Sequence, residues 1–376
     1  MTFIPVYEPY LDENETRNVL DALSNKAISG SFGKYIKKFE NGFAQYSDSK
    51  HGISTSGGTT ALHLALASLN IQENDEVLVS SFTNMATFFA VLYQRATPVP
   101  IDVESETLNL DPSHIEEKIT DKTKAIIVVH LYGHPTDMDP VLKIAKEYGL
   151  FIVEDCAQAH GAEYRGKKVG SLGDVGCFSF YANKIITTGE GGMITTKDDH
   201  IAERANMLKY LAFGKDDKFM HLDIGYNYRM SNLSAAIGCA QLDKIDEIIK
   251  RKRIIADYYT EHLSDLDGFV LPCEKPYAKN VYWMYHIVLD KNITHSRDYY
   301  MEKLKNNNIE SRPTFIPFTL QKTFLNRGLA KTGDCPISNG LADRGFYIPS
   351  GPLLSIDQQN IVLSSIKKIS DNTNGF

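Results

Sequence analysis

The chain has 376 residues, enough to bury a large core and to form two lobes. Hydrophobic residues make up 43% and charged residues 23%, an ordinary globular balance that excludes a disordered or fibrous chain. The net charge of −7, with no basic stripe to offset it, argues against nucleic acid as a partner. No apolar run approaches the length of a membrane span, and Met1 to Tyr7 lacks a charged segment followed by an apolar one. Five cysteines at wide spacings (156, 177, 239, 273, 335) form no Cys-x-x-Cys pair and no disulfide framework. A cytoplasmic protein, not a membrane or secreted one, is expected.

Asp12 is placed to cap a helix whose apolar positions are Val19, Leu20 and Leu23. A loop over 28–33 leads to a second amphipathic helix carrying Tyr35, Phe39 and Phe43. His51 to Thr55 reads as a short strand that runs through Ser56-Gly57-Gly58-Thr59 into a helix. A strand, a turn of small residues and a helix N-terminus can hold a phosphate, because first-turn amides and the helix dipole favour an anion. Such turns also serve plain packing, and His63 inside the helix reads as a core histidine.

Strand and helix patterns then alternate. Strands are expected over 76–82, 97–103, 124–130 and 150–155, and helices over 85–94, 114–119 and 139–148. Lys124-Ala125-Ile126-Ile127-Val128-Val129-His130 has the near-continuous apolar character of a strand buried on both faces of a parallel sheet. The pattern predicts an α/β domain whose chemistry collects at the carboxyl ends of its strands, where Thr59, Asp155 and Lys184 would meet. From about Leu242 the composition changes. A long charged helix over 243–262 leads to a strand over 282–289, a helix near 299–306, an extended stretch over 311–315 and a closing helix over 355–369, with a frayed tail from 370. The basic run Lys250-Arg251-Lys252-Arg253 reads as a solvated face of that long helix. Two domains are predicted, residues 1–245 with an N-terminal arm and a smaller α+β domain over 246–376.

The stretch from Gly176 to Met193 is the centre of the reading. Phe178 and Phe180 alternate with Ser179 and Tyr181, then Lys184 follows, and the chain turns to Gly189-Glu190-Gly191-Gly192. A lysine where a strand runs out, beside flexible glycines, suits a nucleophilic amine that is desolvated yet reachable, although an ordinary surface lysine has the same local pattern. An aldehyde-reactive lysine, an anion-binding turn and a carboxylate at a strand end together suit pyridoxal 5'-phosphate (PLP). Asp155 would keep the pyridine nitrogen protonated; on its own it reads as a turn residue. A nicotinamide enzyme would want Gly-x-Gly-x-x-Gly after the first strand, and no Walker motif is present. His130 and His134 have a metal-like spacing, but Gly133 and Pro135 make a loop the better reading. Cys156 reads as buried and inert.

These motifs resemble those of the DegT-type nucleotide-sugar aminotransferases, PLP enzymes of the aspartate-aminotransferase fold (fold type I). The resemblance covers nearly the whole chain. It is carried by Ser56-Gly57-Gly58-Thr59-Thr60-Ala61-Leu62, His130-Leu131-Tyr132-Gly133, Glu154-Asp155-Cys156-Ala157-Gln158-Ala159, Phe178-Ser179-Phe180 with Lys184, Thr188-Gly189-Glu190-Gly191-Gly192, and Tyr226-Asn227-Tyr228-Arg229-Met230. It implies that Lys184 bonds the cofactor aldehyde and carries a proton between cofactor and substrate carbon. It implies that Asp155 pairs with the pyridine nitrogen, that Gln158 lies against the ring or its hydroxyl, and that Gly57, Gly58, Thr59 and Ser179 hold the phosphate. Asn227 of a partner subunit would reach the same phosphate, so a homodimer with shared sites is implied. Arg229 and Arg312 are implied as contacts to a carboxylate or a nucleotide phosphate, with surface ion pairing the competing reading.

Related 3-dehydratases carry histidine at the position of Lys184, so transamination is favoured over dehydration. Within the family the chain is most similar to the GDP-perosamine synthase branch, through Asn183-Lys184, Thr187 to Met193 and Ile309-Glu310-Ser311-Arg312-Pro313. That similarity implies glutamate as amino donor, GDP-4-keto-6-deoxy-mannose as acceptor and the pyridoxamine phosphate form as an intermediate state. Three departures leave a UDP- or dTDP-linked ketosugar as the alternative: Gln158 where glutamate is usual, Phe318 where histidine is usual, and Asn84 where an aromatic often stacks on the cofactor ring. Phe82 or Phe88 could replace that aromatic, or nothing does. Some relatives are regarded as regulators, which makes a PLP-binding sensor without turnover the alternative of another class.

Overall fold

The computed structural model describes residues 2–214 and 219–371. Helix α1 (Glu13–Ser24) opens at Asp12, which accepts from the Asn14 amide while Glu15 reaches back to the Asp12 amide, a complete capping box. It lies with α2 (Lys34–Tyr46) against α7 (Asn232–Asp243). Tyr35, Phe39 and Phe43 are buried as their spacing requires. The expected apolar face of α1 is not buried. Ala22 and Glu15 face inward, while Leu20 and Leu23 are about half exposed. The cause is Lys244, whose ammonium lies 2.8 Å from both Glu15 and Asp12, so the helix turns a paired carboxylate toward α7.

Seven strands form the central sheet: β1 (His51–Thr55), β2 (Glu76–Ser80), β3 (Thr97–Ile101), β4 (Thr123–Val129), β5 (Phe151–Asp155), β8 (Val175–Ser179) and β9 (Gly192–Thr196). Their order is β1-β9-β8-β5-β4-β2-β3, and β9 alone runs against the rest. Alternate residues of β4 enter different layers. Ala125 and Ile127 join Leu62 and Leu66 of α3 (Gly58–Ser68) on one face. Ile126 and Val128 join Met138 and Val141 of α5 (Met138–Tyr148) on the other. Burial on both faces is why this strand lacks polar alternation. Helices α4 (Ala86–Tyr93) and α6 (Asp199–Lys209) complete the layer beside α3.

A second, antiparallel sheet has the order β10-β12-β14-β13, from Phe269–Val270, Tyr285–Leu289, Gly345–Ile348 and Arg312–Pro313. Helix α9 (Arg297–Asn306) and the closing helix Ile356–Asp371 cover it, burying Tyr300, Leu304, Val362 and Ile366. Strand β11 (Ala278–Lys279) pairs with β6 (Glu163–Tyr164), itself paired with β7 (Lys167–Lys168), so the later part of the chain is stitched to the earlier one. Among the described residues no helix is long and apolar enough to cross a membrane.

Three further expectations change. The segment 114–119 forms two 3-10 turns, Pro112–His114 and Glu116–Lys118, since Pro112 starts the chain in a tight turn and no apolar stripe extends it. The closing helix continues through Ser370 to Asp371; the rest of the expected tail lies outside the described residues. The basic run on α8 (Ile245–Leu263) is not a solvated face throughout. Lys252 is 1% exposed, donates to the Ser350 carbonyl at 2.6 Å and lies over the Tyr7 ring. Its spacing from Ile248, Ile249, Ile255 and Ala256 places it on the buried side of α8.

Burial lowers the Lys252 amine from 10.5 to about 7. The unfolded chain therefore holds more protons between these values, and stability contributed at this site rises with pH across that window. We expect wild type to gain stability relative to Lys252→Met as pH is raised from about 7 toward 10.5. Urea unfolding of both proteins across the window checks this; a constant gap would contradict it.

Candidate active site

The parallel strands place their carboxyl ends on one edge of the sheet, and four chemical groups arrive there. From β1 the chain passes through Ser56 and the extended Gly57 into the first turn of α3. The Gly57 carbonyl accepts from Thr55 Oγ1, Thr60 Oγ1 and the Ala61 amide, which fixes the turn and leaves the first helical amides aimed outward. A Cβ at Gly58 would fall 2.6 Å from Cβ of Ser179, the last residue of β8, so only glycine lets these two elements approach. Thr59 and Ser179 flank the same turn. A helix N-terminus in this setting favours an anion.

Asp155 ends β5 and is 5% exposed. Thr87 Oγ1 donates to its Oδ2 at 2.8 Å, and the Ala157 amide donates to its Oδ1 at 3.1 Å. Burial raises its pKa, against the pull of these bonds and of the Lys184 charge. A buried carboxylate in that position is incomplete until a cationic N–H faces it. Lys184 follows β8 in a turn closed by its own amide donating to the Tyr181 carbonyl at 2.9 Å. Tyr7 of the N-terminal arm donates to the Lys184 carbonyl at 2.6 Å, and Trp283 Nε1 donates to the Asn183 carbonyl at 2.7 Å. Burial lowers the Lys184 amine to about 8, opposed by Asp155, so a useful fraction is neutral near physiological pH. Gln158 is buried, and its Oε1 accepts from the Tyr132 amide at 2.9 Å, leaving its amide nitrogen for a ligand.

Asn227 and Arg229 are not brought into this group within one chain. Asn227 is exposed and accepts from Arg229 Nε at 2.9 Å, and Arg229 also approaches Ser31. Arg312 is paired with Glu310 at 2.8 Å, whose other oxygen accepts from the Val6 amide. Asn84 is exposed and accepts from the amide of Ala86, the first residue of α4, at 2.9 Å. Neither aromatic considered as a substitute for it is free: Phe88 stacks on Phe318 at 4.1 Å, and Phe82 packs against Phe315. Phe318 itself is fully buried in the α3–α4 layer.

The histidines are structural. The Thr136 amide donates to His130 Nδ1 at 3.0 Å, so His130 carries its proton on Nε2, which faces Glu154 at 3.0 Å. Burial would raise the Glu154 carboxyl, but His130 and the amides of Gly173 and Gly170 outweigh it and hold it below its ordinary value. Glu154 thereby fixes the loop before β8. His130, Glu154 and Cys156 lie within metal-ligand distance of one another, yet the imidazole nitrogens and the carboxylate are already engaged, and burial pushes the Cys156 thiol well up. His134 spends both nitrogens on the Pro135 carbonyl and the Lys275 amide. His63 bonds Tyr228 at 2.9 Å, and burial lowers it to about 4. Sequence reading missed Thr87, Tyr7 and Trp283. For Trp283 a signal existed, because it is the chain's single tryptophan.

A mostly parallel sheet with a buried Asp, a depressed Lys and a helix-capped anion cradle at one edge defines a fold-type I PLP aminotransferase. The chain belongs to the DegT/DnrJ/EryC1/StrS aminotransferase family, whose pattern matches residues 9–367. It is 42% identical over 368 residues to GDP-perosamine synthase of Escherichia coli O157:H7, covering 98% of this chain and 99% of that protein. It is 34% identical to EpsN of Bacillus subtilis strain 168, a putative pyridoxal phosphate-dependent aminotransferase, with 94% and 92% covered. DesV of S. venezuelae has the same fold, with a TM-score of 0.91, 32% identity and 99% of each chain covered. The chain is a PLP-dependent sugar-nucleotide aminotransferase.

Gly58→Ala should weaken PLP binding by roughly ten-fold or more, since the new methyl forces Ser179 and the α3 turn apart. Absorbance titration of the apoprotein with PLP checks this; unchanged affinity would contradict it.

Proposed function

We propose that the enzyme transfers the amino group of glutamate to GDP-4-keto-6-deoxy-mannose, giving GDP-perosamine. The observation that carries the reading is the meeting of Lys184, Asp155 and the Gly57-Gly58-Thr59 turn at one sheet edge, in a chain similar throughout to GDP-perosamine synthases. The departure at Gln158 keeps the acceptor oxygen that the Tyr132 amide needs, which glutamate would also offer.

When bound, PLP supplies the aldehyde carbon that carries nitrogen and a ring that takes up electrons. Lys184 Nζ anchors that carbon and, when released, holds and returns the migrating proton; its lowered pKa suits both tasks. Asp155 holds a proton on the ring nitrogen through its charge, and Thr87 orients the carboxylate. Gly57, Gly58, Thr59 and Ser179 bind the phosphate, and Gln158 offers its amide to the ring. Arg229 and Arg312 bind carboxylate or nucleotide phosphate, Arg312 by exchanging Glu310 for the ligand.

The active unit is a homodimer in which Asn227 completes the partner's phosphate site. Exposed apolar residues support this: Ile224 is 84% exposed, and Met220 and Leu222 lie nearby. So does a groove of about 420 Å³ that brings Leu11, Val19 and Leu20 beside Ala182, Gly189 and Ile237, next to the Lys184 turn. The chain divides into two domains, residues 1–245 and 246–376, at the start of α8. Five free cysteines, four of them buried, support a cytoplasmic location.

Turnover with glutamate should be highest on the GDP-linked ketosugar among GDP, UDP and dTDP acceptors; turnover on another with none on the GDP compound would contradict the assignment. Mixing inactive Lys184→Ala with inactive Asn227→Ala protein should restore about a quarter of wild-type sites, because half the dimers then hold one intact site. No recovery after confirmed subunit exchange would contradict the shared site.

A further inference from the structure

Trp283 stands against Lys184 in two ways. Its indole N–H donates to the Asn183 carbonyl at 2.7 Å, one residue before the lysine. Its ring centroid is 4.1 Å from Lys184 Nζ, the separation at which an ammonium is attracted to the negative face of an indole. Trp283 is 4% exposed and Lys184 is half-buried, so the ring side of this contact lies out of bulk water.

The indole is itself held. It stacks parallel to Tyr132 at 6.2 Å, and Tyr132 stacks on Phe315 at 5.6 Å. The backbone on both sides is forced: Tyr132 has φ 51 and Tyr282 has φ 46, the left-handed region that bulky residues avoid. The Val281 amide donates to the Gly133 carbonyl, tying the two strained turns together. Strain of this kind persists where the surroundings over-determine a geometry, and here that geometry delivers one aromatic ring to one amine.

We infer that Trp283 is a positioning residue that docks the free ammonium of Lys184, clamping its turn through the indole N–H and holding the released amine on the ring face. The inference rests on Lys184 being the amine that bonds the cofactor. Its function would be to stop the liberated lysine from swinging into solvent, and to favour the protonated form just after proton uptake. The titratable groups facing Lys184 are Asp155 on β5, His160 after β5 and Tyr7 on the arm. Asp155 favours the charged amine from a distance and His160 sits neutral, with burial lowering it to about 3, whereas the ring face of Trp283 lies 4.1 Å from the amine.

The single tryptophan makes the test direct. In the full-length apoprotein, Trp283 emission should show a pH step that is lost in Lys184→Met. Competitive acetylation of Lys184, read by peptide mass spectrometry, should give the same midpoint in wild type. That midpoint should fall by roughly one pH unit in Trp283→Leu and recover most of the way in Trp283→Phe, which restores a ring face. Thermal unfolding and circular dichroism select variants that remain folded, and Tyr132→Phe serves as a packing control with an unmoved midpoint. An emission step that survives in Lys184→Met, or an unmoved midpoint in folded Trp283→Leu, would overturn the inference. Borohydride-fixed PLP at a residue other than Lys184 in wild type would instead overturn the assignment of the lysine, so the two failures are distinguishable.

Discussion

A charged carboxylate and an ammonium are both expensive to take out of water, and this fold keeps the first buried and the second half-buried under the same sheet edge. Asp155 is pushed up by burial and Lys184 is pushed down, while each partly supports the other's charge. The pair is poised rather than satisfied. A cationic ring nitrogen would complete Asp155, and covalent bonding to an aldehyde would relieve Lys184 of a charge that burial disfavours. The surrounding architecture buries Asp155 and leaves Lys184 half-buried beside it.

That architecture is built from hydrogen-bond anchors. Thr87 and the Ala157 amide fix the carboxylate of Asp155, whereas Tyr7 and Trp283 fix the carbonyls around Lys184. Glu154, one residue before Asp155, faces the other side of its strand and gathers the amides of Gly170, Leu172 and Gly173. Two adjacent acidic residues thus point opposite ways, one holding a loop and one meeting Thr87 at the sheet edge. Strand alternation separates them.

The parallel core was legible because burial on both faces leaves a continuous apolar run such as 124–130. The convergence of Asp155, Lys184 and the Gly57-Gly58 turn was legible because Asp155 ends β5 while the other two follow β8 and β1, and strand ends converge in such sheets. What misled was amphipathic pattern without tertiary context. On α1 an ion pair with Lys244 took the inward face and left Leu20 and Leu23 outside, where a second subunit could cover them. On α8 a lysine in a basic run sits among isoleucines, because Ser350 offers a carbonyl that no local pattern reveals. The Asn84 position was ambiguous for the same reason: Phe82 and Phe88 are near it in sequence but are committed to Phe315 and Phe318 from distant segments. Trp283 was read only as a strand residue, since its two contacts with the lysine turn span a hundred positions.

The most direct measurement is covalent mapping of the cofactor. Holoenzyme reduced with borohydride, digested and sequenced by mass spectrometry should carry its phosphopyridoxyl group on Lys184, one per chain. A protein that remains colourless with PLP, or that carries the group on any other lysine, would contradict the account.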